Sequence, residues 1–258
     1  MKLRDRVVIL TGAASGIGRA TAFLFAEEGA IQFLVDLDEV GLRETFEQVG
    51  IGKERTHLLK ADVSKESEIR EAIHSAIQKE NRLDILVCNA GIVRVGLIED
   101  FTDEDYDLLI DVNMKGTHYT CKHAVPQFKK QRTGSIITFA SVAAHVGQAQ
   151  HAHYCSTKAA ILGFTRALSL DLAPFGVRVN SISPGATDTP MLRSDVARQA
   201  KTRGIREEVV REEFEAEGVW RRWATPREIA MGVLFLASDD SSYMTGADLR
   251  LDGGWTAR

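Results

Sequence analysis

Short apolar runs alternate with longer amphipathic stretches along the whole chain, and this rhythm restricts the possible folds more than any other feature. Residues 7–10, 31–35, 57–60, 85–87, 135–139, 177–182 and 248–251 read as strands. They are short and show little polar alternation, as strands of a parallel sheet do when both faces are covered. Residues 17–28, 39–49, 66–79, 103–130, 153–172 and 226–237 read as helices. Regular strand–helix alternation predicts a doubly wound α/β domain, and no break in composition divides residues 1–258 into two. One stretch, 190–218, leaves the rhythm. It is dense in charge, with Arg193, Arg198, Lys201, Arg203, Arg206 and Arg211 set against Glu207, Glu208, Glu212, Glu213, Glu215 and Glu217. Two readings stand side by side: a lid over a substrate, and a solvated helical pair laced by ion pairs.

Composition excludes several classes of function. A net charge of −4 gives no reason to expect nucleic acid or an anionic membrane as partner. No apolar run approaches the roughly 20 residues that span a bilayer. The first residues run directly into a strand, and glycines follow too soon for a signal peptide. Cys88, Cys121 and Cys155 are too scattered for a disulfide framework or a zinc site. A reducing cytoplasm and no metal are the expectations, with Cys155 a small buried side chain.

The segment Thr11-Gly12-Ala13-Ala14-Ser15-Gly16-Ile17-Gly18 follows the first strand and opens the first helix. Glycines at such a junction permit a tight turn and let backbone approach a pyrophosphate, while the helix start offers free N–H groups and a positive dipole end. Gly12, Ser15, Gly16, Ile17 and Gly18 are therefore candidate dinucleotide contacts. Asp36 closes the second strand, 24 residues after Gly12. A carboxylate there accepts from a ribose 2′-OH and repels a 2′-phosphate, and no Arg or Lys adjoins it in Val35-Asp36-Leu37-Asp38-Glu39, so NAD is expected over NADP. Asp38 is the better candidate for the helix N-cap. Asp62-Val63, after the third strand, is placed to meet an adenine edge. Asn89-Ala90-Gly91, after the fourth, brings backbone to the carboxyl end of the sheet, where ligands of such folds collect.

Tyr154 and Lys158 are four residues apart, with Ser141 thirteen positions upstream. On a helix that spacing places phenol and ammonium on one face. A free tyrosine titrates near pH ~10, and a neighbouring cation favours its phenolate. A serine hydroxyl could hold a substrate oxygen beside the phenol.

Taken together, the glycine loop, Asn89-Ala90-Gly91, Asn113, Ser141, Tyr154-x-x-x-Lys158, Pro184-Gly185 and the closing Leu251-Asp252-Gly253-Gly254 resemble the classical short-chain dehydrogenases/reductases over nearly the whole length. The resemblance implies a Rossmann-like domain with a seven-stranded parallel sheet, and hydride transfer between a nicotinamide and a carbonyl or secondary alcohol. It makes Tyr154 the general acid/base, with Lys158 lowering its pKa and binding the nicotinamide ribose. Ser141 would bond the substrate oxygen, and Asn113 would hold a water that relays protons to Lys158. Pro184 and Gly185 would pass beside the nicotinamide, with Thr187 and Thr189 meeting its carboxamide, and Thr11 would be a structural threonine of the glycine turn. A homotetramer is also implied. Cys88 stands where the family often has a second Asn, and Trp220-Arg221-Arg222-Trp223 is bulkier than usual for that loop.

The segment 142–153 and the insertion 190–218 should set the substrate. His145, Gln148, Gln150, His151 and His153 make the first of these polar, which leans towards a sugar or cyclic diol. His153, next to Tyr154, is the expected substrate contact. The alternatives are a reductase of 3-oxoacyl thioesters on acyl carrier protein, and a non-catalytic nucleotide-sensing regulator.

Overall fold

The computed structural model describes residues 1–257. Among them, strands β1 (Val7–Thr11), β2 (Ile31–Asp36), β3 (Thr56–Lys60), β4 (Ile85–Cys88), β5 (Gly134–Phe139), β6 (Val177–Pro184) and β7 (Asp248–Leu251) form one parallel sheet in the order β3-β2-β1-β4-β5-β6-β7. Alternation is hidden inside each apolar run. Val8 and Leu10 point to one face and pack under helices α1 (Gly16–Glu27), α2 (Glu39–Gln48) and α9 (Pro226–Ala237), through Leu24, Phe25, Leu42, Ile229 and Val233. Val7 and Ile9 point to the other and pack under α3 (Glu66–Glu80), α5 (Gly116–Gln131) and α6 (Ala152–Leu172), through Ile69, Ile73, Phe128 and Leu172. Both faces of β1 are thus buried, which is why its sequence carries no polar residue before Thr11.

The order reverses between β1 and β4, and their carboxyl ends part to leave a crevice. Gly12 and Asn89 follow those two strands. The Asn89 amide donates to the carbonyls of Thr11 and Gly12 at 3.0 and 2.8 Å, and Thr11 Oγ1 bridges Val87 O and Ala90 N. The turn is therefore locked to its neighbour strand, and it needs glycine: Gly12 has φ +70°, and a Cβ there would stand 2.6 Å from the Asn89 amide.

The helix expected over 103–130 is interrupted. It divides into α4 (Asp103–Leu109), a π-helical segment Ile110–Lys115, and α5. Asn113 lies in the π segment, a local widening that is frequent at functional sites. The insertion 190–218 forms α7 (Pro190–Arg203) and α8 (Glu207–Glu217). They share a small apolar cluster of Val196, Ala200, Val210 and Trp223, separate from the two main cores. Ion pairs do lace this pair, among them Arg211–Glu215 at 2.8 Å.

Candidate active site

A cleft of about 450 Å³ runs along the carboxyl ends of the strands from Asp36, past the glycine loop, to Ser141 and Tyr154. Gly12, Ser15, Gly16, Ile17, Asp36, Asp62, Val63, Asn89, Ala90, Gly91, Ser141, Tyr154, Lys158, Pro184, Gly185, Thr187 and Thr189 all line it. Residues up to 177 positions apart in sequence are thus brought to one groove by the shared direction of the strands.

At one end, Asp36 is tied in by two backbone amides. Its Oδ2 accepts from Ala14 N at 2.9 Å and its Oδ1 from Asp38 N at 3.0 Å. Asp38, as expected, caps α2 by accepting from Gly41 N. The sequence neighbours of Asp36 carry no cation, but the sheet adds one: Lys60 is its register partner on β3. Lys60 pairs with Glu39 at 3.5 Å. Arg19 also reaches the glycine loop, where it bonds Ala14 O, Thr45 Oγ1 and Glu44. Ser15 is the N-cap of α1 yet makes no capping bond with its side chain, so the first amides of that helix stay open to an anion. Asp62 spends one carboxylate oxygen on Ser64 N and Oγ.

At the other end, Ser141 Oγ accepts from Ala143 N at 3.2 Å and keeps its own hydrogen to donate. Tyr154 and Lys158 project from the first turns of α6, with the Lys158 ammonium 5.8 Å from the phenol ring centre. Lys158 donates to the Phe139 carbonyl at 2.9 Å, not to the phenol. The expected lowering of the tyrosine pKa is therefore not found. Burial pushes Tyr154 up to about 12, against a smaller downward pull from Ser141, and pushes Lys158 down to about 8.

Gly18 and Asn113 act from behind the cleft wall. A Cβ on Gly18 would meet the Gly12 carbonyl at 1.9 Å, so this glycine lets α1 close against the loop. The Asn113 amide is fully engaged: Oδ1 accepts from Ile92 N at 2.9 Å, and Nδ2 donates to Ile92 O and Thr157 Oγ1. It fixes the loop leaving Gly91. A Cβ on Gly91 would stand 3.2 Å from Asn113 Oδ1 and 3.5 Å from Lys158 Nζ, so these two groups border the same spot. Thr187 bonds the Gly185 carbonyl, and Thr189 caps α7 by accepting from Leu192 N.

His153 does not reach the cleft. Its ring packs on Phe101 and Tyr106, at 4.2 and 5.2 Å between ring centres, and its Nε2 is buried without a partner. On a helix the next residue in sequence is turned about a third of a circle away, so His153 faces α4 while Tyr154 faces the cleft. His145 is turned to Asp248, at 2.9 Å. His151 is the histidine that lines the cleft, with Gln148, Asp195, Leu192, Phe214 and Trp255. Cys155 is half-buried, not fully buried as expected.

The arrangement combines an anion-ready helix start, a carboxylate at the end of β2, and a Ser–Tyr–Lys group at the far end of one groove. The sequence profile described as "Enoyl-(Acyl carrier protein) reductase" matches residues 12–256. The chain is a classical short-chain dehydrogenase/reductase. It is 37% identical over 256 residues to the 3-oxoacyl-[acyl-carrier-protein] reductase FabG of Thermotoga maritima, covering 98% of this chain and 99% of that one. Among solved structures, a levodione reductase superposes with a TM-score of 0.93 at 31% identity, covering 99% of each chain. A 3-ketoacyl-(acyl-carrier-protein) reductase from Brucella melitensis, complexed with NADH, superposes with a TM-score of 0.88 at 30% identity, over 98% of this chain and 99% of that one. As a member of the family the protein is an oxidoreductase that uses a nicotinamide cofactor. Its residues fit that group: the Gly12 turn, the uncapped start of α1 and the Asp36 carboxylate lie in sequence along the cleft that ends at Tyr154.

Proposed function

We propose that the protein is an NAD-dependent enzyme interconverting a secondary alcohol and a ketone, with Tyr154 as general acid/base and a hydroxylated substrate such as a sugar or cyclic diol. The observation that carries the cofactor choice is Asp36, whose carboxylate borders the cleft while Lys60 and Arg19 are committed to Glu39 and Glu44. A 2′-phosphate would meet an anion with its nearby cations already engaged. The NADH in the Brucella relative supports the same choice. Bound nicotinamide supplies the hydride acceptor or donor. Tyr154 takes the alcohol proton in oxidation and returns it to the carbonyl oxygen in reduction. Ser141 donates to that oxygen and holds it beside the phenol. Lys158 keeps a cation within the same buried group, and Asn113 holds the Ile92 backbone beside it. Asp62 and Val63 would flank the adenine; Pro184, Gly185, Thr187 and Thr189 would border the nicotinamide.

The 37% identity to a 3-oxoacyl-carrier reductase favours a second reading, reduction of 3-oxoacyl thioesters. Two assays separate them: appearance of NADH absorbance with NAD and a panel of secondary alcohols, and its loss with a 3-oxoacyl thioester and NADH or NADPH. Turnover confined to the thioester with NADPH overturns the first reading.

The α7–α8 pair would act as a lid, since it brings Met191, Leu192, Asp195 and Phe214 to the cleft from its own small core. A homotetramer is supported by the apolar side chains left exposed on and after α9, Met231, Phe235 and Tyr243, and light scattering tests it. A reducing cytoplasmic setting fits three free thiols.

A further inference from the structure

The cleft is also lined by apolar side chains, Val93, Leu192 and Phe214, and by His151, Gln148 and Asp195. His151 precedes α6 and lies three residues before Tyr154. The two rings meet edge to face with centres 6.3 Å apart. Its Nδ1 is 2.7 Å from the Ala149 carbonyl oxygen. A carbonyl only accepts, so Nδ1 carries the hydrogen, and the neutral ring presents a bare lone pair at Nε2. Among the described residues no protein group bonds Nε2. The residue is 8% exposed and lines the cleft.

Asp195 repeats the pattern. It is 6% exposed, and its carboxylate is oriented by Arg198 and by Gln199 Nε2 at 2.9 Å. Both side chains are acceptors fixed by a second bond, in a cleft that Val93, Leu192 and Phe214 also line. A substrate hydroxyl satisfies such an acceptor. A methylene, ether or second ketone leaves it unmet, and an unmet buried acceptor discriminates against the substrate that leaves it so.

We propose that His151 is a specificity-determining residue whose Nε2 accepts a hydrogen bond from a second hydroxyl of the substrate, on a carbon next to the reacting one or one further along. The preferred class is then vicinal or 1,3-diols and their hydroxyketones. The proposal rests on the alcohol–ketone reading above and narrows it.

The test measures kcat/KM with NAD for cyclohexanol, cyclohexane-1,2-diol and cyclohexane-1,3-diol, on the wild type, His151→Phe and His151→Gln. In the wild type at least one diol exceeds cyclohexanol by about tenfold, the worth of one well-placed hydrogen bond. In His151→Phe that ratio collapses, chiefly through a higher KM for the diol. In His151→Gln, which keeps an acceptor oxygen, part of it returns. Protein fluorescence quenching by NADH reports that each variant retains a folded cofactor cleft. Equal kcat/KM for cyclohexanol and both diols in the wild type overturns the proposal without any variant. So does a ratio that His151→Phe leaves untouched. Absence of NADH formation from all three alcohols overturns the alcohol–ketone reading itself, and the proposal with it; that result is distinct from turnover without a diol preference.

Discussion

Lys158→Met should abolish turnover and yet stabilise the cofactor-free protein. Lys158 is 6% exposed, and its ammonium donates to the Phe139 carbonyl. Burial lowers its pKa from 10.5 to about 8. Each unit of such a shift is worth about 1.4 kcal/mol, so a folded state that keeps this lysine charged loses about 3 kcal/mol relative to the unfolded chain. Methionine removes that cost and forfeits one hydrogen bond of about 1 kcal/mol, for a net gain of about 2 kcal/mol. For a chain of this size the gain corresponds to a rise in Tm of about 4–8 °C.

The folded pKa of Lys158 lies below its unfolded value, so its destabilising effect is complete below pH 8 and fades as pH climbs towards 10.5. Tyr154 does not confuse this window. Its folded pKa is raised from 10 to about 12, so its contribution is stabilising below pH 10 and is lost only above that. Differential scanning calorimetry without cofactor, at pH 7.0 and 9.5, reads both limits. The advantage of Lys158→Met should shrink from about 2 kcal/mol at pH 7.0 to under about 1 kcal/mol at pH 9.5. A variant less stable than the wild type at pH 7.0, or an advantage equal at both pH values, refutes the assignment of a strained buried ammonium. The expected outcome is a trade of stability for function, as is usual where a site needs a charge in a dry place.

Tyr154→Phe should cost about a thousandfold or more in kcat, the range for a general acid/base, while NADH fluorescence titration shows binding retained; more than a few per cent residual activity would sink the assignment. Because Tyr154 holds its proton to about pH 12, ketone reduction should proceed well at neutral pH, while kcat/KM for alcohol oxidation should climb steadily between pH 7 and 9. A flat oxidation profile over that range is the contrary result. Asp36→Ala should lower the NAD over NADP preference by about tenfold, the worth of a hydrogen bond to a charged group. The ratio is the diagnostic quantity, since Asp36 also holds Ala14 N and its loss loosens the glycine loop for both cofactors.

The sheet was legible because parallel strands buried on both faces leave unbroken apolar runs, and each run from Val7 to Leu251 marks one strand. Helix 103–130 was misread because nothing in its periodicity signals a π segment. The widening at Ile110–Lys115 is bound up with the Asn113 amide reaching back to Ile92, a contact between segments that are 21 residues apart. The cation beside Asp36 was likewise invisible in sequence. Lys60 reaches that place only through the β2–β3 register, and its capture by Glu39 is a tertiary fact as well.

The surroundings of Tyr154 are legible in the sequence on both sides by one rule of spacing. Spacing of three or four residues placed Lys158 on the face of Tyr154, and the same rule places His151 there. Adjacency in sequence pointed to His153, but a step of one residue on a helix leads off the face, and His153 packs on Phe101 and Tyr106. His151, the N-cap of α6, stands one step of three before Tyr154, and Lys158 follows at a step of four; all three line the cleft. Asp195 offered a weaker signal of the same kind. On α7, where Arg193, Arg198, Lys201 and Arg203 supply the cations, the acidic Asp195 is drawn inward. An anion is left inside only where something pairs with it, and Arg198 and Gln199 do so from the same helix, one on each carboxylate oxygen.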